Sequence, residues 1–151
     1  MINLSKKQLL EVQKNIPPYL MIDEGINIIP GVSAESKKFL TDDEWFLKCH
    51  FPGDPNMPGM LQLEAMSQTA ALAILTIPEN KAKIIYIARA NNIFFKKKVI
   101  AGDTLHIKTN LIKWKRGIGK AICLGTVNDE TACSAEFDLV LNSELENFKI
   151  K

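Results

Sequence analysis

The sequence predicts an α+β fold: one long central helix, apolar nearly all round, enclosed by an antiparallel sheet of five or six strands. Three observations predict it. The most apolar stretch, Met57–Ile77, has Pro58 at its entry and Pro78 at its exit. The chain after Ile84 is strand-rich, with residues alternating at a period of two over 105–112 and 133–141 and turn residues between the runs. The length, 151 residues, fits one domain and leaves no room for two ordinary ones, so 1–151 reads as a single domain. A helix with so few polar positions must be covered on most sides. One sheet covers only part of it, so a second subunit is expected.

In chain order, Ser5 can cap a short helix with Leu9, Leu10 and Val12 as its apolar positions, ended by Pro17-Pro18. Strand-like runs follow at Met21–Ile29 and Val32–Leu40, separated by the turn pair Pro30-Gly31. The second run is polar at several positions and is expected near solvent. Cys49–Pro58, with three prolines and a glycine, admits only loop. The long helix spans Gly59 to about Ile77. Strands then cover Ile84–Phe95, a run opened by Gly102-Asp103, Lys120–Val127 after a turn at Arg116-Gly117, and a last run after Asn128-Asp129-Glu130. In the last, Cys133, Ala135, Phe137, Leu139 and Leu141 alternate with polar residues, as on a half-buried antiparallel sheet. The charged tail from Asn142 is expected to be loose.

Composition narrows the function classes. Hydrophobic residues at 46% argue against disorder, and 19 basic against 17 acidic residues are too balanced to point to nucleic acid. Three cysteines without CxxC spacing suit free thiols in a reducing cytoplasm better than a disulfide framework or a zinc site. The N-terminus is not a secretory signal. Gln62, Glu64, Ser67 and Gln68 interrupt the apolar run, and a carboxylate at mid-bilayer is costly, so no membrane span is expected.

The chemistry concentrates in HFPGDPNMPGMLQLEAMSQTAA, His50–Ala71. The first N–H groups of a helix opening at Gly59 have no partner within it and lie at its positive end, a ready site for a partly negative oxygen. A thioester carbonyl polarised there would acidify its neighbouring carbon. Glu64 and Gln68 share a helix face within a run of Leu, Met and Ala. Apolar surroundings tend to raise a carboxyl pKa, which suits a proton donor. Each feature also has an ordinary reading: a solvated early-helix glutamate, a structural histidine, a glycine needed for close packing. Spacing alone does not identify a reaction.

The segment resembles the signature of the β-hydroxyacyl-(acyl carrier protein) dehydratases of type II fatty acid synthesis, in which HFPG-x-P-x-x-PG precedes a hydrophobic run and EAMAQ. The matching residues are His50, Phe51, Pro52, Gly53, Pro55, Pro58, Gly59, Glu64, Ala65, Met66 and Gln68, with the family's histidine-to-glutamate spacing. A weaker likeness runs from Tyr19 to Leu141 through YLMID and FKKKVIAGD. The resemblance implies a hot-dog fold, with the helix wrapped by the sheet. It implies a homodimer that completes two active sites, often assembled further into a trimer of dimers. It further implies that His50 acts with Glu64 of the neighbouring subunit at the mouth of an acyl tunnel, with Gly59, Met60 and Gln68 at the substrate. The reaction would convert (3R)-3-hydroxyacyl-(acyl carrier protein) to the trans-2-enoyl thioester, with no metal or organic cofactor.

Departures accompany the matches. The family's His-Arg-x-Pro-Phe stretch is absent before Tyr19, Asn91 replaces an acidic residue, and Lys98 and Ala101 replace prolines. The Asp54–Gly59 stretch also resembles a sister dehydratase-isomerase type, which carries aspartate where this chain has Glu64. These changes bear on chain length and pathway. Lys96, Lys97 and Lys98, with Arg89, Lys113, Lys115 and Arg116, either steer an acidic acyl carrier protein or blunt exposed strand edges. His106 alternates outward and is expected at the surface. Cys49 adjoins His50, but neighbours in an extended loop point apart. Two rivals stand beside the dehydratase: a hot-dog thioesterase and a non-catalytic acyl-binding subunit.

Overall fold

A computed structural model describes residues 1–149. The first strand, β1 (Ile2–Leu4), leads into helix α1 (Lys6–Val12), then β2 (Glu24–Ile29) and β3 (Ser33–Phe39). The long helix is α2 (Gly59–Leu75), and β4 (Ile85–Phe95), β5 (Thr104–Lys115), β6 (Ile118–Val127) and β7 (Glu130–Leu141) complete the chain's regular structure. All seven strands join one sheet in the order β1-β2-β3-β5-β6-β7-β4, every neighbour antiparallel. The sheet therefore exceeds the five or six strands expected. A three-residue β1 is too short to show a period in the sequence.

Helix α2 lies against this sheet, and Ala65, Met66, Ala70, Leu72, Ala73 and Ile74 are fully buried on it. Opposite them the inward positions of β5, β6 and β7 are Leu105 and Ile107, Ala121 and Cys123, and Ala135, Phe137 and Leu139, all buried. The expected alternation is thus realised strand by strand. Both tight hairpins use backbones with positive φ: Arg116 and Gly117 at 53° and 74°, Asn128 and Asp129 at 50° and 64°. That twist matches the right-handed twist of the flanking strands.

Helix α1 begins as read, with a capping box in which Gln8 N–H donates to Ser5 Oγ and Ser5 N–H to Gln8 Oε1. It ends at Val12, well before Pro17-Pro18. The reason is Gln13: its side-chain amide bonds the N–H and carbonyl of Asn15 and replaces the next helical turn. Helix α2 likewise stops at Leu75 rather than Ile77. Its last carbonyls are taken from outside, with Gly31 N–H on Ala73 O at 2.7 Å and Asn80 Nδ2 on Ile74 O at 3.3 Å.

β3 departs from expectation more sharply. It is an interior strand, paired to β2 and β5, and Ser36 and Lys38 are buried rather than near solvent. Partners make this possible. Ser36 Oγ lies 2.6 Å from Thr69 Oγ1 of α2, and Lys38 Nζ meets the carboxylates of Glu44 and Asp23. From Asn142 the described part of the tail forms a 3₁₀ segment at Asn142–Asn147, and Phe148 lies under the Arg89 guanidinium. Among the described residues, no helix is long and apolar enough to cross a membrane.

Candidate active site

Two segments bring the signature residues into place. The first is the path from Glu44 to Pro58. A 3₁₀ turn at Trp45–Lys48 buries Phe46 and Leu47, and Phe46 O accepts from His50 N at 3.0 Å. Phe51 and Asp54 exchange both backbone hydrogen bonds at 2.9 Å, closing a tight turn around Pro52-Gly53. Asn56 N–H then reaches back to His50 O at 2.9 Å, while Asn56 O lies 3.1 Å from His50 Nδ1. A carbonyl oxygen only accepts, so Nδ1 carries the proton and a neutral ring keeps Nε2 free as an acceptor. The imidazole packs against the Phe51 ring at 3.9 Å. Met57, buried, anchors the exit through Val99 O and through Gln62 Nε2; among the described residues Gln62 Oε1 has no partner.

The second segment is the start of α2. Pro58 is its N-cap residue, and Gly59 and Met60 open the helix with N–H groups that no helical carbonyl can reach. A Cβ on Gly59 would stand 3.1 Å from the Phe95 ring, so close packing and an open amide both call for glycine here. Met60 is 67% exposed in the single chain.

Glu64 is half-buried, and its Oε1 accepts from Gln68 Nε2 at 2.9 Å. Gln68 is a buried hub. Its second amide proton goes to Tyr19 O at 2.9 Å, and its Oε1 accepts from Met21 N at 2.8 Å. With both protons committed within the chain, Gln68 positions Glu64 rather than presenting a donor to substrate. The Glu64 charge, with a smaller contribution from burial, holds the Tyr19 phenol above its usual range. Glu64 lines a cleft of about 250 Å³ with Asn15, Gln68, Ile85, Tyr86 and Leu139. A larger cleft, about 670 Å³, lies elsewhere, beside Lys38, Asp23, Glu44 and Trp45.

No hydrogen bond or ion pair joins His50 to Glu64 within the described residues of one chain. The edge beside Glu64 is apolar: β4 has β7 as its one sheet neighbour, and Tyr86, Ile87, Phe94 and Phe95 are exposed on it.

The remaining sequence candidates fall outside this site. His106 pairs with Glu35 across β3 and β5 at 2.7 Å. Cys49 turns its thiol to Phe46 O, and burial pushes the Cys123 and Cys133 thiols up to about 12, which removes them as nucleophiles. Three of the seven clustered basic residues are paired: Lys97 with Glu130, Lys98 with Asp54, and Arg89 with Asp138. Among the described residues no three His, Cys, Asp or Glu side chains converge as metal ligands would. What the sequence reading missed is the support. Asn56 O, Tyr19 O and Met21 N are backbone atoms and carry no residue signal. Lys38 did carry one: a lysine sharing the parity of Ala34 and Ser36 on a strand.

Comparison with known proteins places this architecture. A family model described as a FabA-like domain matches residues 16–136. A 3-hydroxyacyl-[acyl-carrier-protein] dehydratase FabZ of Roseiflexus sp. is 37% identical over 141 residues, covering 93% of this chain and 99% of the relative. The FabZ of Clostridium tetani is 41% identical over 138 residues, covering 90% and 96%. Among solved structures, the dehydratase heterocomplex ApeI:P of Xenorhabdus doucetiae superposes with a TM-score of 0.78 at 13% identity, covering 92% of this chain and 95% of that one. A hypothetical thioesterase of Streptococcus pneumoniae, solved with coenzyme A, reaches 0.59 at 14% identity over 77% and 83%. At such identities the two structures speak for the fold alone.

Proposed function

The chain belongs to the FabA-like family, and from that premise we propose that it dehydrates (3R)-3-hydroxyacyl-(acyl carrier protein) to the trans-2-enoyl thioester, with His50 and Glu64 as its acid–base pair. The observation that carries the residue assignment is the Nδ1 contact of His50 to Asn56 O. It selects the tautomer whose Nε2 can take a proton.

In this reading the thioester carbonyl meets the open amide of Gly59 at the positive end of α2, where developing negative charge is stabilised. His50 Nε2 removes the proton from the α-carbon, and the electron pair becomes the α–β double bond as the β-hydroxyl departs. The Glu64 carboxyl gives that hydroxyl a proton, so water leaves. The imidazolium and the carboxylate then exchange the proton and reset the pair. Each well-placed acid–base group contributes about 10²- to 10⁴-fold.

A second copy of the chain completes each centre, His50 of one protomer acting beside Glu64 of its partner. Support comes from the separate anchoring of the two residues within one chain. Further support is the exposed apolar edge of β4 beside Glu64, a surface that a lone protein would leave open to strand pairing.

The test uses a β-hydroxyacyl thioester with enoyl absorbance and free thiol as parallel readouts. His50→Ala and Glu64→Gln each abolish enoyl formation. Dissociating and reassembling an equal mixture of the two restores about a quarter of the wild-type rate, since half the dimers are hybrids with one intact centre of two. No recovery places the pair within one protomer. Thiol release without an enoyl product makes the enzyme a thioesterase.

A further inference from the structure

Lys38 is an inward-facing cation on an interior strand, its side chain 6% exposed. Such burial is costly unless the charge is paired. Its Nζ lies 2.7 Å from Glu44 Oε1 and 3.7 Å from Asp23 Oδ2. Asp23 is itself fixed: Oδ2 accepts from Phe39 N at 2.8 Å, Oδ1 pairs with Lys6 at 2.9 Å, and its N–H donates to Lys37 O.

These two carboxylates adjoin the two stretches that hold His50 and Glu64. Glu44 starts the Trp45–Lys48 turn: its carbonyl accepts from Leu47 N at 3.1 Å, and within that turn Phe46 O holds the His50 backbone. Asp23 follows directly on the Tyr19–Ile22 stretch, whose Tyr19 O and Met21 N fix Gln68 and through it Glu64. Gln62 Nε2 of α2 also bonds Met57 O of the loop at 3.0 Å, so Lys38 is a second polar tie between the two arms, at their far ends.

We propose that Lys38 is a positioning residue for the reaction: paired with Glu44 on one side and Asp23 on the other, it sets the turn that holds His50 against the strand entry that holds Glu64. The inference rests on the His50–Glu64 reading above. If each centre takes these two residues from different protomers, one Lys38 sets half of each centre in the dimer. An apolar side chain would fill the volume but would not fix the two carboxylates in direction.

Steady-state kinetics and the His50 ring signals in two-dimensional NMR test this on the full-length protein. Lys38→Met lowers kcat about 10- to 100-fold while KM for the thioester stays within about 2-fold, the mark of misplaced reacting groups rather than lost binding. Lys38→Arg, which keeps a cation between the carboxylates, restores most of kcat. Glu44→Gln leaves the Lys38–Asp23 contact in place, so the fold survives should Lys38→Met not; it lowers kcat in the same direction and shifts the His50 ring signals. A folded Lys38→Met or Glu44→Gln enzyme with wild-type kcat and unmoved His50 signals overturns the proposal. That outcome alongside a dead His50→Ala enzyme removes the Lys38 role alone, whereas an active His50→Ala enzyme removes the underlying reading.

Discussion

His50 and Glu64 are held in opposite ways. His50 sits on a loop whose geometry is set by backbone atoms: Phe46 O, Asn56 N and Asn56 O. Glu64 sits on a regular helix, yet its carboxylate is oriented by one side chain, Gln68, gripping the backbone of Tyr19 and Met21. The difference has a consequence for sequence change. A backbone contact survives most substitutions of the residue that makes it, while a side-chain hub is lost with a single one. Apart from the Lys38–Glu44 pair at its head, the loop arm should therefore be robust to point changes around it and the helix arm fragile.

The largest effect expected sharpens the role of the helix entry that joins the two arms. Proline is tolerated at the first position of a helix, and Pro58 has the extended conformation that a following proline prefers. Gly59→Pro thus deletes the amide with little cost to the helix. Gly59→Ala is its control, since it keeps the amide and shares the crowding against Phe95. The proline variant should lose a further 10²- to 10³-fold or so in kcat beyond the alanine variant, the range for one oxyanion donor. Equal losses in the two would leave Gly59 a packing residue only.

The next effect tests the contrast between the arms. Gln68→Ala, which frees Glu64 and strands Met21 N, should reduce kcat by about 10- to 100-fold. Asn56→Ala, which removes only a side-chain bond to Asp54 O, should stay within about 3-fold, because the atoms that hold His50 are in its backbone. Comparable losses in both would break the comparison.

The smallest effect concerns the loop's exposed ion pair. Lys98 bonds both carboxylate oxygens of Asp54 at 2.8 and 2.9 Å, but the two side chains are 62% and 53% exposed. Pairs of this kind contribute about 0–1 kcal/mol. Lys98→Met should therefore move the denaturation midpoint slightly and leave kcat alone. A large loss of turnover would mean that the loop depends on its exposed side chains as well as on its buried anchor.

Much of the architecture was legible in the order of residues. Helix α2 follows from an apolar run framed by prolines, and β5 to β7 from alternation and from the turn pairs Arg116-Gly117 and Asn128-Asp129, whose Gly, Asn and Asp suit positive φ. The signature His50–Gln68 was legible as well, because it is contiguous. Less legible were the elements whose character depends on distant partners. β3 looks like a solvent-facing strand until Thr69, Glu44 and Asp23 are brought against Ser36 and Lys38. α1 looks as if the prolines should end it, and Gln13 ends it first.

By itself, then, the sequence determined most of the elements, the inward faces of α2 and β5 to β7, and the two residues proposed to move protons, since period, turn chemistry and a contiguous motif are local properties of a chain. The tertiary structure alone decided how those residues are held: the Nδ1 proton of His50, the hub at Gln68 and the buried ammonium of Lys38. Each depends on a donor meeting an acceptor from another part of the chain, in the case of Gln68 and Tyr19 from 49 residues away, and closure over such distances is set by packing rather than by local pattern.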